Sequence, residues 1–146
     1  MLALIPSPQV RTLTDAFRAE WAAPGRAPAE LPPLGISRQI VIADTNEKAR
    51  EIASRAFAPF TGNLTYLWKK FDVAMPPGVA SGTFESAATA HRYAGDPEGA
   101  REWVAWHAET AGINYFSLEF AFGDMTFAEV LRSAELFATD VMPAFA

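Results

Sequence analysis

The last third of the chain constrains the fold more than any other stretch, because it predicts a helix, a strand and a second helix with clear boundaries. Asp96 and Pro97 are typical of a helix start, as N-cap and first-turn residue, and Gly112 is typical of a helix end. The second helix is predicted to begin at Thr126, with Glu129 as the partner in a capping box. This unit predicts one crossover of an α/β fold.

The strand between these helices is predicted over Asn114 to Phe122 from its alternating pattern. One face carries Phe116, Leu118, Phe120 and Phe122, and the other carries Tyr115, Ser117, Glu119 and Ala121. The pattern predicts that the aromatic face meets helices. The closing helix has an apolar face predicted to lie in the core, made of Phe127, Val130, Leu131, Ala134, Phe137 and Val141.

Two further strands and a helix are predicted in the first third. Leu2 to Ile5 is a short apolar run, and Arg38 to Ala43 is predicted as a strand covered on both faces because Ile40 to Ala43 are consecutive apolar residues. Between them, about Gln9 to Ala22 is predicted as a helix. Its apolar stripe is Val10, Leu13, Phe17 and Trp21.

The middle of the chain is predicted to be helical and then irregular. Asp44 is predicted to cap a helix, with Glu47 three residues on, and Pro59 and Gly62 are predicted to interrupt it before a second piece over about Asn63 to Phe71. Residues 72–93 predict a long loop, with a candidate short helix over 85–90 and a candidate lid or anion loop at 81–83.

Alternating strands and helices predict an α/β fold with a parallel sheet, and the 146 residues are expected to form a single domain, 1–146. A net charge of −5 excludes a basic nucleic-acid footprint, and the chain has no cysteine. The opening residues predict neither a signal sequence nor a membrane span. We therefore expect a cytoplasmic protein with no metal site.

Two stretches carry a resemblance to a known family. They are LPPLGISRQIVIADTNEKA and AGDPEGAREWVAWHAETAGINYFSLEFAFGDMTFAEVLRSAELFATDVMPAF. In them the chain resembles the C-terminal portion of the bacterial luciferase-like flavin-dependent monooxygenases. The resemblance implies a partial (β/α)8 TIM barrel, with this chain supplying about the last three βα units.

The resemblance also implies an activity, namely insertion of one oxygen atom of O2 into an organic substrate using reduced FMN, or a deazaflavin in a related branch. A complete barrel needs eight strands and typically about 250 residues. We therefore expect a truncated or split-gene product, a relative that completes its sheet by self-association as a homo-oligomer, or one part of a two-chain enzyme. A flavin reductase is a candidate partner. The alternative is a non-catalytic assembly or binding protein that retains the βα scaffold and self-associates.

Candidate flavin or substrate contacts lie where strands end, because chemistry in such barrels sits at the carboxyl ends of strands. Glu119 is predicted to point inward, with an ion pair or a solvated carboxylate as the structural alternative. Phe122 and Gly123 are predicted to line the mouth, unless they only form the turn into the last helix.

The other candidates are His91, Arg92 and Ser7. His91 could exchange a proton, and Arg92 could meet a phosphate or the flavin ring, although a solvated loop is the simpler explanation for both. Ser7 follows the first predicted strand. His107 lies on a helix stripe and is predicted to be a core histidine with a partner. Catalytic residues cannot be assigned from the sequence.

Overall fold

The computed structural model describes residues 5–75, 84 and 91–146, together with the backbone of residues 2–3. Within this part it contains four strands, which we call β1 (Leu2–Ala3), β2 (Gly35–Ile42), β3 (Arg92–Gly95) and β4 (Tyr115–Glu119). The predicted parallel α/β arrangement is confirmed. The predictions for 81–83 and 85–90 fall outside the described residues.

Strand β2 is the centre of the sheet, because each of the other three strands pairs with it in parallel. Residues Gly35 to Gln39 pair in register with Tyr115 to Glu119. Gln39 also pairs with Arg92 at the start of β3. The prediction of three strands was therefore incomplete, since β3 lies in a stretch that was assigned to a loop, and β4 is shorter than the predicted strand.

Four α-helices with defined bounds accompany the strands in the part of the chain that the structure describes, and we call them α1 (Ser7–Ala22), α2 (Asn46–Lys70), α3 (Pro97–Ala111) and α4 (Phe127–Leu136). The prediction that α2 breaks was wrong, because the helix runs through Pro59 and Gly62 without interruption. Its N-cap is Thr45 and not Asp44, since the Thr45 hydroxyl accepts a hydrogen bond from the backbone N–H of Lys48.

The predicted start and end of α3 and the predicted start of α4 are confirmed. The Asp96 carboxylate caps α3 by accepting from the Gly99 N–H at 2.9 Å, and Gly112 ends the helix in the left-handed conformation. Thr126 and Glu129 form the predicted capping box of α4. A π-helical turn, Phe137–Val141, and a short 3-10 helix, Met142–Phe145, follow α4.

The two faces of the sheet are covered differently. Helices α1, α3 and α4 pack on the face that carries Ile36, Ile40 and Ile42. Helix α2 packs on the opposite face, against Val41 and Ala43 near the carboxyl end of β2. The prediction that this strand is covered on both faces is confirmed, since residues 40–43 are all buried.

Two predicted core stripes are only partly buried. In α1 the structure buries Val10 but exposes Leu13 and Phe17, and in α4 it exposes Phe127 and Leu131. Each predicted apolar stripe extends around its helix beyond the part that other described residues bury. Each of these helices therefore presents an apolar side without cover from the rest of the described chain.

Candidate functional site

Three polar residues lie side by side across the middle of the sheet, one from each of three strands. Gln39 of β2 is in register with Arg92 of β3 and with Glu119 of β4. Paired residues of neighbouring strands point to the same face, so the three side chains emerge together on the face opposite α1, α3 and α4. We call Arg92, Gln39 and Glu119 the polar row.

Arg92 is the most constrained member of the polar row. Its side chain is buried, and Nε donates a hydrogen bond of 2.7 Å to Oε1 of Gln39. The guanidinium lies 4.6 Å from the centre of the Phe57 ring of α2, which is cation–π geometry. Burial lowers the pKa of Arg92, and the nearby carboxylate of Glu119 partly opposes that shift.

The donors of Arg92 are not fully used within the described residues. No described side chain accepts a hydrogen bond from its two terminal nitrogens. Glu119 is exposed, and it makes no hydrogen bond or ion pair to a described residue. The polar row therefore places a fixed cation on one side of a buried amide and an exposed carboxylate on the other.

An open cavity of about 270 Å³ lies against the polar row. Its walls come from the sheet, from α2 and from the residue before β3, and they are Ser37, Arg38, Gln39, Phe60, Leu64, His91 and Glu119. Two of the predicted site residues, His91 and Glu119, thus line one cavity, and Arg92 reaches it only through its hydrogen bond to the lining residue Gln39. One wall is aromatic and aliphatic, and the other is polar.

Phe122 and Gly123 serve the neighbouring core instead. Phe122 is buried against Phe60 of α2, with ring centres 5.8 Å apart, and it stacks on Phe84. Gly123 has a φ of +61°, and a Cβ atom there would overlap the backbone carbonyl of Ala56. The structure places these residues in the contact that holds α2 over the sheet, so the glycine approaches a helix backbone and not the cavity.

Ser7 lies on the other face of the sheet, away from the polar row. Its Oγ is 2.5 Å from Nδ1 of His107, and Arg38 donates to the same oxygen over 3.4 Å. Arg38 also donates to the backbone carbonyls of Ile5 and Ser37, each at 2.9 Å. We call Ser7, Arg38 and His107 the helix-side cluster.

The helix-side cluster is buried from solvent and carries a positive charge. All three residues are buried, and burial lowers the pKa of Arg38 to about 10. Burial, then the charges of Arg38 and His91, lower the pKa of His107 to about 3, so its imidazole is neutral. The prediction of a core histidine with a partner is confirmed, because Nδ1 bonds to Ser7 and the rings of Trp103 and Trp106 pack on it edge to face.

Sequence reasoning missed Ser37 and Gln39, although their signal is present. They are polar residues two positions apart in β2, which places them on one face, with Arg38 between them on the other. Among residues 5–75, 84 and 91–146 no group of His, Asp and Glu could hold a metal ion. No helix in the same part combines the length and the apolar character needed to span a bilayer.

Among curated proteins the chain is similar to part of one longer protein. The chain is 30% identical over 138 residues to protein y4wF of Sinorhizobium fredii, which covers 94% of this chain and 40% of that protein. No family model matches the chain. The chain thus spans about two fifths of the length of the curated relative that it matches.

Solved structures match the fold over nearly the whole chain. Monooxygenase RslO1 from Streptomyces bottropensis aligns with a TM-score of 0.71 and 23% identity, covering 98% of this chain and 40% of that enzyme. The oxygenating constituent of 3,6-diketocamphane monooxygenase from Pseudomonas putida, a Baeyer-Villiger monooxygenase solved with FMN, aligns with a TM-score of 0.71 and 16% identity. It covers 97% of this chain and 41% of that one. The chain therefore has the fold of part of a (β/α)8 barrel, which it shares with these two monooxygenases.

The residues present fit FMN in part. Buried Arg92 and the amide of Gln39 are suitable donors for the polar edge of a flavin ring, and Phe60 offers an apolar wall. Cofactor pockets usually enclose about 300–1,000 Å³, and the cavity falls below that range. The chain therefore holds residues suited to the ring but not a complete FMN site.

Proposed function

We propose that this chain contributes the C-terminal part of an FMN-dependent monooxygenase of the luciferase-like family, which transfers one oxygen atom of O2 to an organic substrate. The observation that carries the proposal is the polar row, in which Gln39 and Glu119 line an open cavity and buried Arg92 is bonded to Gln39. The fold supports it, because a monooxygenase solved with FMN shares that fold along this chain. Reduced FMN, when bound, supplies the electrons that activate O2.

The work of the chain's own residues is binding and orientation. The terminal nitrogens of Arg92 donate to an acceptor on the flavin ring, and Gln39 holds the guanidinium in place through Nε. Phe57 beneath the guanidinium and Phe60 in the cavity wall exclude water from one side. Glu119 lies at the open side of the cavity, where it can accept a proton or a hydrogen bond from a substrate.

The size of the cavity also supports a second candidate, a non-catalytic assembly protein that keeps the βα scaffold. Such a protein would retain the polar row only as a structural contact between β2, β3 and α2. The two functions differ in one property, since the first requires saturable flavin binding and the second does not.

Titration with FMN and with riboflavin, followed by visible absorption and flavin fluorescence, separates the two functions. The proposed function predicts saturable binding of both flavins with similar affinity, because the described residues address the ring and not the phosphate. A matched titration of a Lys48→Met variant, which changes an exposed residue far from the polar row, should give the same curve. If neither flavin binds at high micromolar concentration, to the chain or to its assembly with a partner polypeptide, the monooxygenase function is wrong.

A further inference from the structure

We propose that the two ends of the helix layer dock a polypeptide that carries the remaining βα units of a luciferase-like barrel. The inference rests on the proposed function, and it adds the surfaces and the kind of partner. The helix layer is formed by α1, α3 and α4 on the face of the sheet that carries Ile40.

Helix α3 is the middle helix of this layer. It contacts α1 on one side and the Phe137–Val141 turn that continues α4 on the other. Helices α1 and α4 are therefore the two ends of the layer. In a βα fold each such helix normally has a neighbouring helix on both sides, so the outer side of an end helix is where the next unit would pack.

The outer side of α1 is apolar and grooved. Leu13 and Phe17 lie four residues apart, and they remain 47% and 42% exposed. Together with Pro32, Pro33 and Leu34 they line an open groove of about 380 Å³. We call this surface the α1 flank.

The outer side of α4 has the same character. Phe127 and Leu131 also lie four residues apart on one helix face, and they are 80% and 45% exposed. The buried residues of this helix, Ser133 and Leu136, lie on a different face. We call this surface, Phe127 and Leu131, the α4 flank.

The comparisons indicate what covers the two flanks. RslO1 aligns with 98% of this chain, yet that alignment takes up only 40% of RslO1. The remaining part of such a barrel begins beside one end of the aligned segment and finishes beside the other, because a ring has no free ends. A single polypeptide of βα units can therefore contact both flanks at once.

The free edge of β4 offers the same partner a third contact surface. Among the described residues β4 pairs with β2 alone, so its other edge presents backbone groups without a strand partner. An exposed strand edge is a template for the addition of a strand. A partner strand on β4 would also close the open side of the cavity beside Glu119.

Co-expression tests this docking directly. The 146-residue chain is produced together with the part of y4wF that lies outside the 138 matched residues, as one tagged polypeptide. Co-purification followed by light scattering should give a one-to-one complex. Leu13→Glu and Leu131→Glu should each weaken the complex at least about tenfold, because a charge replaces an apolar contact. Ala19→Glu and Arg132→Gln change exposed residues on other sides of the same helices and should leave the affinity unchanged.

Each outcome decides a different point. Every substituted residue is exposed, so we expect all four variants to fold, and circular dichroism checks this. Recovery of the chain alone at 15.9 kDa, or as a homo-oligomer, overturns the docking proposal. Equal affinity for all four variants overturns the assigned flanks. A stable complex that binds no flavin leaves the docking intact and overturns the proposed function. If the chain is recovered without a partner and still binds flavin saturably, the proposed function stands and the docking proposal is overturned.

Discussion

Two buried arginines, one on each face of the same sheet, use their donors in opposite ways. Arg38 directs its terminal nitrogens to Ile5, Ser7 and Ser37, and so it ties the start of α1 to β2. Arg92 fixes only its Nε, through Gln39, and its terminal nitrogens meet no described acceptor. Both guanidiniums are desolvated, and burial lowers the pKa of both. The difference teaches that the helix-side cluster supports the fold, whereas the polar row is suited to a ligand.

The largest expected effect is on the helix-side cluster. His107→Ala removes the ring packed between Trp103 and Trp106, and it leaves the buried Ser7 hydroxyl with only the 3.4 Å contact from Arg38. We expect the free energy of unfolding to fall by about 4 kcal/mol, from a cavity plus the loss of the shorter hydrogen bond. Urea denaturation measures this. Glu109→Ala, an exposed change in the same helix, is the control and should cost less than about 0.5 kcal/mol.

The second effect concerns the contact that holds α2 over the polar face. Gly123→Ala should destabilise the protein by about 3 kcal/mol, because the new methyl group meets the Ala56 carbonyl at a left-handed backbone position. Gly62→Ala is the matched control within α2. No atom lies within 4 Å of that Cβ position, and alanine should stabilise the helix by up to about 1 kcal/mol. Thermal unfolding of the two variants should thus shift in opposite directions.

The third effect is a pH dependence specific to the helix-side cluster. The folded pKa of His107, about 3, lies below the value of 6.5 for an unperturbed histidine. The unfolded chain therefore binds this proton first as the pH falls, and the stability that is present above pH 6.5 is lost progressively toward pH 3. Between about pH 6.5 and pH 5 the loss should be roughly 2 kcal/mol.

Denaturation at several pH values in the wild type and in His107→Gln checks the sign. The variant should lack most of this slope, since it has no imidazole to titrate beside Arg38. A slope that is the same in both proteins would assign the pH dependence to carboxylates elsewhere.

The smallest expected effect on stability is in the polar row. Arg92→Met keeps an apolar stem on Phe57 but removes the partner of Gln39 Oε1. The cost should be about 1 kcal/mol, since a buried cation is removed together with one hydrogen bond. Equilibrium unfolding measures it. A loss as large as that of His107→Ala would make the polar row structural and would remove the contrast between the two faces.

The sequence was most predictive where local chemistry decides the structure. The cap at Asp96, the left-handed Gly112 and the Thr126 capping box depend on contacts within a few residues, and all three were predicted correctly. The continuity of α2 through Pro59 was not predicted, because packing against β2 outweighs the hydrogen bond that proline removes. Strand β3 was missed for a similar reason, since four residues carry too little periodicity.

The candidate site was predictable only residue by residue. Alternation placed Glu119 on the face away from the helices, and the structure puts it beside the cavity. Its relation to Arg92 and Gln39 depends on the register of three strands, which no local pattern encodes. The burial of Ser7 against His107 joins residues 100 positions apart and could not be inferred from either.

The affinity of Arg92→Met for FMN, measured by titration against the wild type in the same assembly, tests the central claim most directly. The contrast between the two arginines predicts a loss of roughly tenfold to a hundredfold in affinity, as one charge-assisted hydrogen bond to the flavin disappears while the fold stays intact. An FMN affinity that is unchanged in Arg92→Met would contradict the assignment of the polar row to ligand binding.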